Sequence, residues 1–329
     1  MKKISILLTL LIAHLILFGQ AQFMDKELDP DRFNTNFSAY DQNTALFSGQ
    51  LSDLVYNKPK EIEKTIRDLR EKYPEWKLSH KFLENKKNSV QALLLCTKDF
   101  MIIAFRGTEP SVISDWTTNG SYWNYENNQS GAEQLANMPP GHGGFRRSLM
   151  SLMNEENLFK EIDQLIHNNN SNVKISDFPI YLTGHSLGAA LSQLFMECLR
   201  FKEYNFKGAY HFAPPLAVSC TWREQMKQNF GTMVYDIVNY KDYVPRAGRN
   251  GVAHFGQFIR ICTDELLYFE KEAYVKFSIG EYAQVLKYHS LINHLAAIRR
   301  EDNKLSNILS RLSNFSCLGE EIKAPDPCK

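Results

Sequence analysis

Residues 180–199 combine a strand, a tight turn and a helix, and they restrict the possible fold more than any other part of the sequence. The apolar run Ile180-Tyr181-Leu182 predicts a buried strand, and the pattern Gly-x-Ser-x-Gly follows at residues 184–188. Apolar residues then recur at spacings of three and four up to Leu199, which is typical of a helix with one buried face. A serine at such a strand-to-helix turn projects its hydroxyl above a sheet.

This turn makes Ser186 the candidate nucleophile. The five-residue pattern alone is weak, because glycine and serine are common enough for it to arise by chance in roughly one chain in ten of this length. The strand before it and the helix after it strengthen the prediction. Since a serine hydroxyl is a poor nucleophile until a base removes its proton, we expect a histidine and a carboxylate further along the chain.

The candidate acid is Asp242, which lies in a turn after an apolar strand that ends at Val238. A carboxylate in that place can hold an imidazole in one tautomer and stabilise its charged form. Asp236 and Asp264 remain alternatives.

The candidate base is His289, which stands at the start of a helical segment where a loop would deliver it to a site. Two other histidines remain alternatives. His254 precedes a strand, and His294 lies on the apolar face of the same helical segment, so packing explains both.

Two backbone amides are candidates for binding an oxyanion, which needs preorganised donors. Leu187 directly follows the candidate nucleophile at the start of a helix. Thr108 follows an apolar strand and a glycine turn at residues 102–107, and its hydroxyl can assist its amide. The alternative for Thr108 is an ordinary strand-ending turn.

The remaining pattern predicts an α/β fold with a mostly parallel central sheet flanked by helices. Helical spacing runs from Asp41 to Tyr56, from Pro59 to Tyr73, from Phe145 to His167 and from His289 to Arg300. Val90–Cys96 and Phe100–Phe105 predict a hairpin, and further short strands are expected at Ile180–Thr183, Gly208–Phe212, Met233–Val238 and Phe258–Cys262. Strands that alternate with helices favour parallel pairing.

The first 21 residues are predicted to be a signal peptide for export, leaving residues 22–329 as a single catalytic domain with a proline-containing tail. Lys2 and Lys3 precede an apolar run, and Gly19 and Ala21 are small residues of the kind found before a cleavage point. An uncleaved membrane anchor is the alternative. We therefore expect a secreted or periplasmic protein with no stable transmembrane segment after cleavage.

Composition excludes some functions and leaves the disulfides open. With 38 basic and 37 acidic residues the formal charge is +1, so bulk charge gives no reason to expect nucleic-acid binding. The histidines show no metal-binding spacing, and no metal is expected. Of the six cysteines, Cys96 and Cys198 lie in apolar segments, whereas Cys317 and Cys328 flank the tail and are candidates for a disulfide.

Seven short motifs, taken together and in order, resemble the class 3 lipases, the fungal-type triacylglycerol lipase family of the α/β-hydrolase fold. They are Phe-Arg-Gly-Thr at 105–108, Asp-Trp at 115–116, His-Gly-Gly-Phe at 142–145, Gly-His-Ser-Leu-Gly-Ala-Ala at 184–190, Phe-Ala-Pro-Pro at 212–215, Val-Asn-x-x-Asp-x-Val-Pro-Arg at 238–246 and His-Ser-Leu at 289–291. The sequence departs from the family at Asn119, at residues 215–218 and at His294.

The resemblance implies a triad of Ser186, His289 and Asp242, with Thr108 and Leu187 as oxyanion donors. It implies a covalent acyl-enzyme, no cofactor, and a lipid or acyl-ester substrate met at a lipid–water interface. It also implies a lid over residues 110–123, for which a fixed aromatic-packed loop is the alternative. Other functions with the same triad are a phospholipase A1 or a feruloyl-type esterase; a catalytically dead lipase-like binding protein is the third option.

Overall fold

A computed structural model describes residues 28–36, 38–107, 138–239, 242, 244–246, 251–261, 288–292, 294–295 and 298. The predicted signal peptide, the predicted lid, Thr108, Asp264 and the cysteines at 262, 317 and 328 lie outside these residues.

The described chain alternates helices and strands. The α-helices are α1 (Gln42–Leu54), α2 (Pro59–Lys72), α3 (Gly143–Asn154), α4 (Leu158–Asn169), α5 (Leu187–Phe201) and α6 (Cys220–Phe230), and short 3-10 helices occupy Pro30–Arg32, Pro74–Trp76, Ile175–Asp177 and Val244–Arg246. The strands are β1 (Ser79–Asn85), β2 (Val90–Cys96), β3 (Met101–Phe105), β4 (Pro179–His185), β5 (Asn205–Phe212), β6 (Val218–Ser219), β7 (Val234–Asn239), β8 (Val252–Ala253) and β9 (Gln257–Ile261).

Seven of these strands form one sheet in the order β1-β2-β3-β4-β5-β7-β9. The strands from β1 to β3 pair antiparallel, and the pairs from β3 through β4, β5 and β7 to β9 are parallel. The predicted hairpin and the predicted mostly parallel sheet are therefore confirmed. A separate two-stranded ribbon joins β6 to β8.

Helices cover both faces of the sheet. Because successive strand residues point to opposite faces, Leu94 of β2 packs with apolar residues of α3, α4 and α5, while Leu93 and Leu95 pack with those of α1 and α2. Every residue of β2 and β3 is buried. This double burial explains why their sequences are continuous apolar runs rather than alternating ones.

Helix α1 lies close to the sheet and to the segment that carries His289. The side chain of Asp41 caps its first turn by accepting a hydrogen bond from the Thr44 amide at 2.7 Å. At Gly49, an added Cβ would collide with side chains of Phe212 and Leu295. The glycine therefore permits the close approach of α1 to the residues that follow His289.

Two expectations from the sequence differ in detail from the structure. The helix predicted from Phe145 to His167 is two helices, α3 and α4, since Asn157 has left-handed dihedrals (φ 54°, ψ 41°) that a continuous helix does not allow. The edge strand β1 was not predicted. It is partly exposed and carries charged residues, so its sequence lacks the apolar signal of its neighbours.

Cys96 and Cys198 are free and buried, as expected for core thiols. Cys220, at the start of α6, is disulfide-bonded. Since two of the other five cysteines are free, its partner is one of the three at 262, 317 and 328. Of the helices in the described ranges, none combines the length and the apolar character needed to cross a bilayer.

Stability should depend on pH through Asp53 of α1. Burial raises the pKa of this carboxyl to about 6, so the folded state holds a proton that the unfolded chain has released. Its contribution to stability is largest below the unfolded pKa and falls as pH rises through about 6. Replacing Asp53 by Asn should thus raise the free energy of unfolding at pH 7.5 by about 1–2 kcal/mol, after allowance for solvent screening.

Urea unfolding at pH 4.0 and 7.5 tests this, with a much smaller gain expected at pH 4.0. The matched control is Asp68→Asn on α2, whose side chain is 57% exposed. A gain at Asp53 that is the same at both pH values would show that its ionisation is not the cause.

Candidate active site

Ser186 occupies a sharp turn between β4 and α5. Its backbone has φ 56° and ψ −125°, a region that residues other than glycine rarely adopt. Its amide donates to the Phe212 carbonyl at 2.9 Å, which fastens the turn to the end of β5. Surrounding structure thus holds the residue in a conformation that costs of order 1–3 kcal/mol, and such strain is concentrated at functional sites.

The glycines on either side of Ser186 allow this turn to form. An added Cβ on Gly184 would collide with the backbone of Gly188, and one on Gly188 would collide with the carbonyl of Phe105 at the end of β3. The helix therefore begins in direct contact with the strands beneath it. This is the physical reason for a glycine two positions before and two positions after the serine.

Asp242 and His289 form a buried hydrogen-bonded pair. His289 Nδ1 lies 2.8 Å from Asp242 Oδ2, and the two side chains are 2% and 0% exposed. The other carboxylate oxygen of Asp242 accepts from the amide of Val244 at 3.0 Å. Because the carboxylate accepts from Nδ1–H, a neutral His289 has a lone pair on Nε2.

The segment after β7 that carries Asp242, here called the acid loop, leaves the sheet at the same edge as Ser186. Strands β4, β5 and β7 run parallel, so their carboxyl ends face one way. Ser186 follows β4, and Asp242 lies three residues beyond the end of β7, where its amide donates to the carbonyl of Asn239 at 2.9 Å. Ligands of open parallel sheets bind at this edge.

Ser186 Oγ and His289 Nε2 are buried and lack a hydrogen-bond partner among the residues that the structure describes, so no hydrogen bond joins these two atoms. His294 Nε2, beside the site, is also buried without a partner among these residues. Burying a donor or acceptor without a partner usually costs free energy, so such atoms need an explanation. An imidazole lone pair can accept the proton of a serine hydroxyl, so His289 Nε2 and Ser186 Oγ have the chemistry of a base and a nucleophile.

The comparisons with known proteins point to one family. Residues 102–250 match the family profile of Lipase (class 3), a segment that contains Ser186 and Asp242 and ends before His289. The predicted resemblance to the class 3 lipases is confirmed. No curated protein was found to match the sequence.

Solved lipase structures share the fold. Lip2 lipase from Yarrowia lipolytica is 18% identical, with a TM-score of 0.51 over 68% of this chain and 82% of its own. Rhizomucor miehei triacylglyceride lipase is 18% identical, with a TM-score of 0.51 over 78% of this chain and 94% of its own. A third structure, whose description says that a serine protease triad forms the catalytic centre of a triacylglycerol lipase, is 17% identical, with a TM-score of 0.51 over 77% and 92%. The architecture is accordingly of the α/β-hydrolase type.

His254, an alternative base, is engaged elsewhere in the fold. Its Nε2 donates to the carbonyl of Pro245 at 2.7 Å, and its Nδ1 lies 3.8 Å from Asp236. Burial lowers its pKa, so the imidazole is neutral near pH 7. The structure therefore places it behind the acid loop, as a support for the backbone after Asp242.

Asp236, an alternative acid, belongs to the same interior cluster. Its Oδ1 lies 2.9 Å from His211 Nδ1, and His211 Nε2 lies 2.8 Å from Ser192 Oγ. These three side chains repeat the order of a serine triad, but Ser192 lies within α5 and not at the strained turn before it. A row of side chains without solvent access joins β5, β7 and α5 and serves packing.

His294 lies five residues after His289. Its Nδ1 donates to the carbonyl of Ser290 at 2.9 Å, and burial is the main cause of its lowered pKa. Its ring centroid is 6.3 Å from that of His185. His294 thus lies beside the site, but the carboxylate of Asp242 is hydrogen-bonded to His289 and not to His294.

Of the two oxyanion candidates, the described residues include Leu187. It is the first residue of α5, and an amide at that position has no acceptor within its own helix. The partial positive charge of a helix N-terminus also favours a developing anion there.

Two residues at the site were not singled out from the sequence. His185 Nε2 lies 2.7 Å from the carbonyl oxygen of His289, and His185 Nδ1 lies 2.9 Å from the hydroxyl of Tyr56. His185 occupies a variable position of the five-residue pattern, and Tyr56 follows the end of α1. Neither position carries a sequence signal for such a contact.

The strain at Ser186 predicts a difference in stability between two variants at this position. Ser186→Gly should be more stable than Ser186→Ala by about 1 kcal/mol, since glycine adopts positive φ freely whereas alanine keeps the strain. Thermal and urea unfolding of the two proteins measure the difference. Equal stabilities, or a more stable alanine variant, would show that the turn is not strained in solution.

Proposed function

We propose that the chain is an exported serine hydrolase that cleaves carboxylic ester bonds of lipids, triacylglycerols foremost, through an acyl-enzyme on Ser186. One observation carries the proposal. At one edge of a parallel sheet, a buried Asp242–His289 pair and a strained Ser186 leave the two atoms of a proton transfer without other partners. The class 3 lipase match supports hydrolysis of lipid esters as the reaction.

The first half of the reaction forms the acyl-enzyme. His289 Nε2 takes the proton of the Ser186 hydroxyl while Ser186 Oγ attacks the carbon of the ester carbonyl. Asp242 keeps the imidazole in the Nδ1–H tautomer and stabilises its charged form. The tetrahedral intermediate then collapses: the bond to the leaving alkoxide breaks, and His289 gives its proton to that oxygen.

Water completes the cycle in the second half. His289 removes a proton from the water, the resulting hydroxide attacks the acyl carbon, and Ser186 leaves with the proton returned by His289. The amide of Leu187 stabilises the oxyanion in both halves, and we propose Thr108 as the second donor. These steps balance without a cofactor or a metal ion.

Full burial of Ser186 supports a site that opens for its substrate, since the hydroxyl has no exposed surface. The proposed lid over residues 110–123 would open at a lipid–water interface. The rate on a short-chain ester should then rise once the ester exceeds its solubility limit. Equal turnover below and above that limit would favour a fixed loop.

The disulfide of Cys220 supports export, because stable disulfides form in oxidising compartments. It agrees with the proposed signal peptide over residues 1–21 and with a secreted or periplasmic location. Release of the chain into the medium or periplasm with residue 22 at its new N-terminus is the expected outcome of expression in a host that secretes it.

Loss of the nucleophile should abolish hydrolysis. Residues 22–329 are assayed on p-nitrophenyl acetate, butyrate and palmitate and on emulsified triacylglycerol, beside Ser186→Ala. The variant should lose at least about 1,000-fold in kcat, because the residual rate would come only from binding and the oxyanion donors.

The substrate range separates the alternatives. Best activity on palmitate and triacylglycerol would support a lipase, preference for phospholipid a phospholipase A1, and preference for feruloyl esters an esterase of plant polysaccharides. Hydrolysis that survives in Ser186→Ala would overturn the serine mechanism. A folded wild type that hydrolyses none of these esters would favour a binding protein.

Asp242→Asn tests the role of the carboxylate. An asparagine that offers its N–H to Nδ1 stabilises the wrong imidazole tautomer, so kcat should fall by about 10⁴-fold near pH 7 while the fold is kept. Asp99→Asn, at a side chain that is 70% exposed, serves as the control and should retain full activity. A loss below about tenfold at Asp242 would exclude it as the orienting acid.

A further inference from the structure

His185 links the nucleophile turn to the segment that carries the proposed base. It directly precedes Ser186, and its Nε2 lies 2.7 Å from the carbonyl oxygen of His289. Because a carbonyl oxygen only accepts, Nε2 must carry a proton and donate it. The bond therefore holds the backbone of His289, while Asp242 holds its side chain.

The other ring nitrogen of His185 is held by Tyr56. Burial, and the neighbouring rings of His289 and His294, lower the pKa of His185 well below its ordinary value, so the ring is neutral. A neutral ring with Nε2–H has a lone pair on Nδ1, so the Tyr56 hydroxyl is the donor across 2.9 Å. A directed chain of hydrogen bonds thus runs from Tyr56 through His185 to His289.

Tyr56 also contacts the turn that precedes the proposed oxyanion donor Thr108. An added Cβ on Gly107 would collide with the Tyr56 hydroxyl and with the His185 carbonyl. The guanidinium carbon of Arg106 lies 5.4 Å from the centroid of the Tyr56 ring. Tyr56 therefore touches both His185 and the turn at residues 106–107, here called the oxyanion turn.

We propose that Tyr56 and His185 are positioning residues that set the backbone of His289 relative to Ser186 and the oxyanion turn. The proposal rests on the function proposed above, in which His289 is the general base. Neither residue needs to touch the ester. Their effect is geometric, and a displacement of a base by about 1 Å can cost on the order of 100-fold in rate.

Three substitutions separate positioning from packing. His185→Leu fills much of the space but removes the donor, His185→Gln keeps an N–H close to the place of Nε2, and Tyr56→Phe keeps the ring but removes the hydroxyl. We expect kcat on p-nitrophenyl butyrate to fall about 30- to 100-fold, less than tenfold and about three- to tenfold respectively. KM should change less than about twofold in each.

The effects of Tyr56→Phe and His185→Leu should not multiply. Because the Tyr56 hydroxyl reaches His289 through the His185 ring, removing it should cost less in the His185→Leu background than in the wild type. The double variant should therefore match His185→Leu in kcat within about twofold. Multiplied losses would show two independent structural contributions and would overturn the proposal.

Matched controls come from the far end of the sheet and from α2. Tyr73→Phe removes a hydroxyl that lies 3.3 Å from Asp29 Oδ1, and His80→Gln alters a histidine of the edge strand β1 that contacts Glu63 of α2. Both should keep the wild-type kcat. Thermal unfolding and titration of reactive Ser186 with a p-nitrophenyl phosphonate correct every rate for the fraction of folded protein.

The outcomes separate this proposal from the one on which it rests. If the wild type shows no Ser186-dependent turnover, the proposed function fails. If turnover depends on Ser186 but His185→Leu, corrected for folded protein, keeps its kcat, or if only KM rises, the positioning role fails alone. If His185→Leu does not fold, His185→Ala takes its place in the test. A wild-type kcat in His185→Ala, His185→Gln and Tyr56→Phe would then overturn the positioning role.

Discussion

The close contact between the start of α5 and the ends of β3 and β4 is the constraint on which the rest of the site depends. Gly184 and Gly188 leave no room for a side chain between strand and helix. The residue between them must then turn sharply, and Ser186 does so at positive φ. The same contact places the amide of Leu187, the first residue of α5, directly after Ser186. The candidate nucleophile and the candidate oxyanion donor thus follow from one packing requirement.

Two sets of buried polar side chains fix the loops around this turn. On one side, Tyr56 and His185 reach the backbone of His289. On the other, Asp236 and its histidine partners lie below the acid loop, where His254 holds the carbonyl of Pro245. Buried polar networks rigidify a core when each member finds partners. Loops that would otherwise be free to shift are in this way tied to strands.

The central sheet could be predicted from the sequence because its strands are apolar on both faces and separated by clear turns. The edge strand β1 could not, since one of its sides faces solvent and its residues are mixed. The break at Asn157 depends on a left-handed backbone that asparagine permits but does not require. Element type thus follows from burial, whereas breaks and edges depend on tertiary surroundings.

The candidate site likewise contains residues that the sequence predicts and residues that it does not. Ser186, Asp242 and His289 could be proposed from motifs, because their chemistry restricts the residue types and their order. The partners of His185 could not, since Tyr56 lies 129 residues away in the chain. The Asp236–His211 pair likewise follows from the adjacency of β5 and β7 rather than from any local pattern.

The disulfide of Cys220 has a consequence for the denatured chain. Each of its possible partners lies beyond β9, either before or after the segment that carries His289. Any of them closes a loop of at least ~40 residues, and such a cross-link lowers the entropy of the denatured ensemble by an amount equivalent to about 4 kcal/mol. A chain made in a reducing cytoplasm would lack that constraint, and its denatured ensemble would be correspondingly larger.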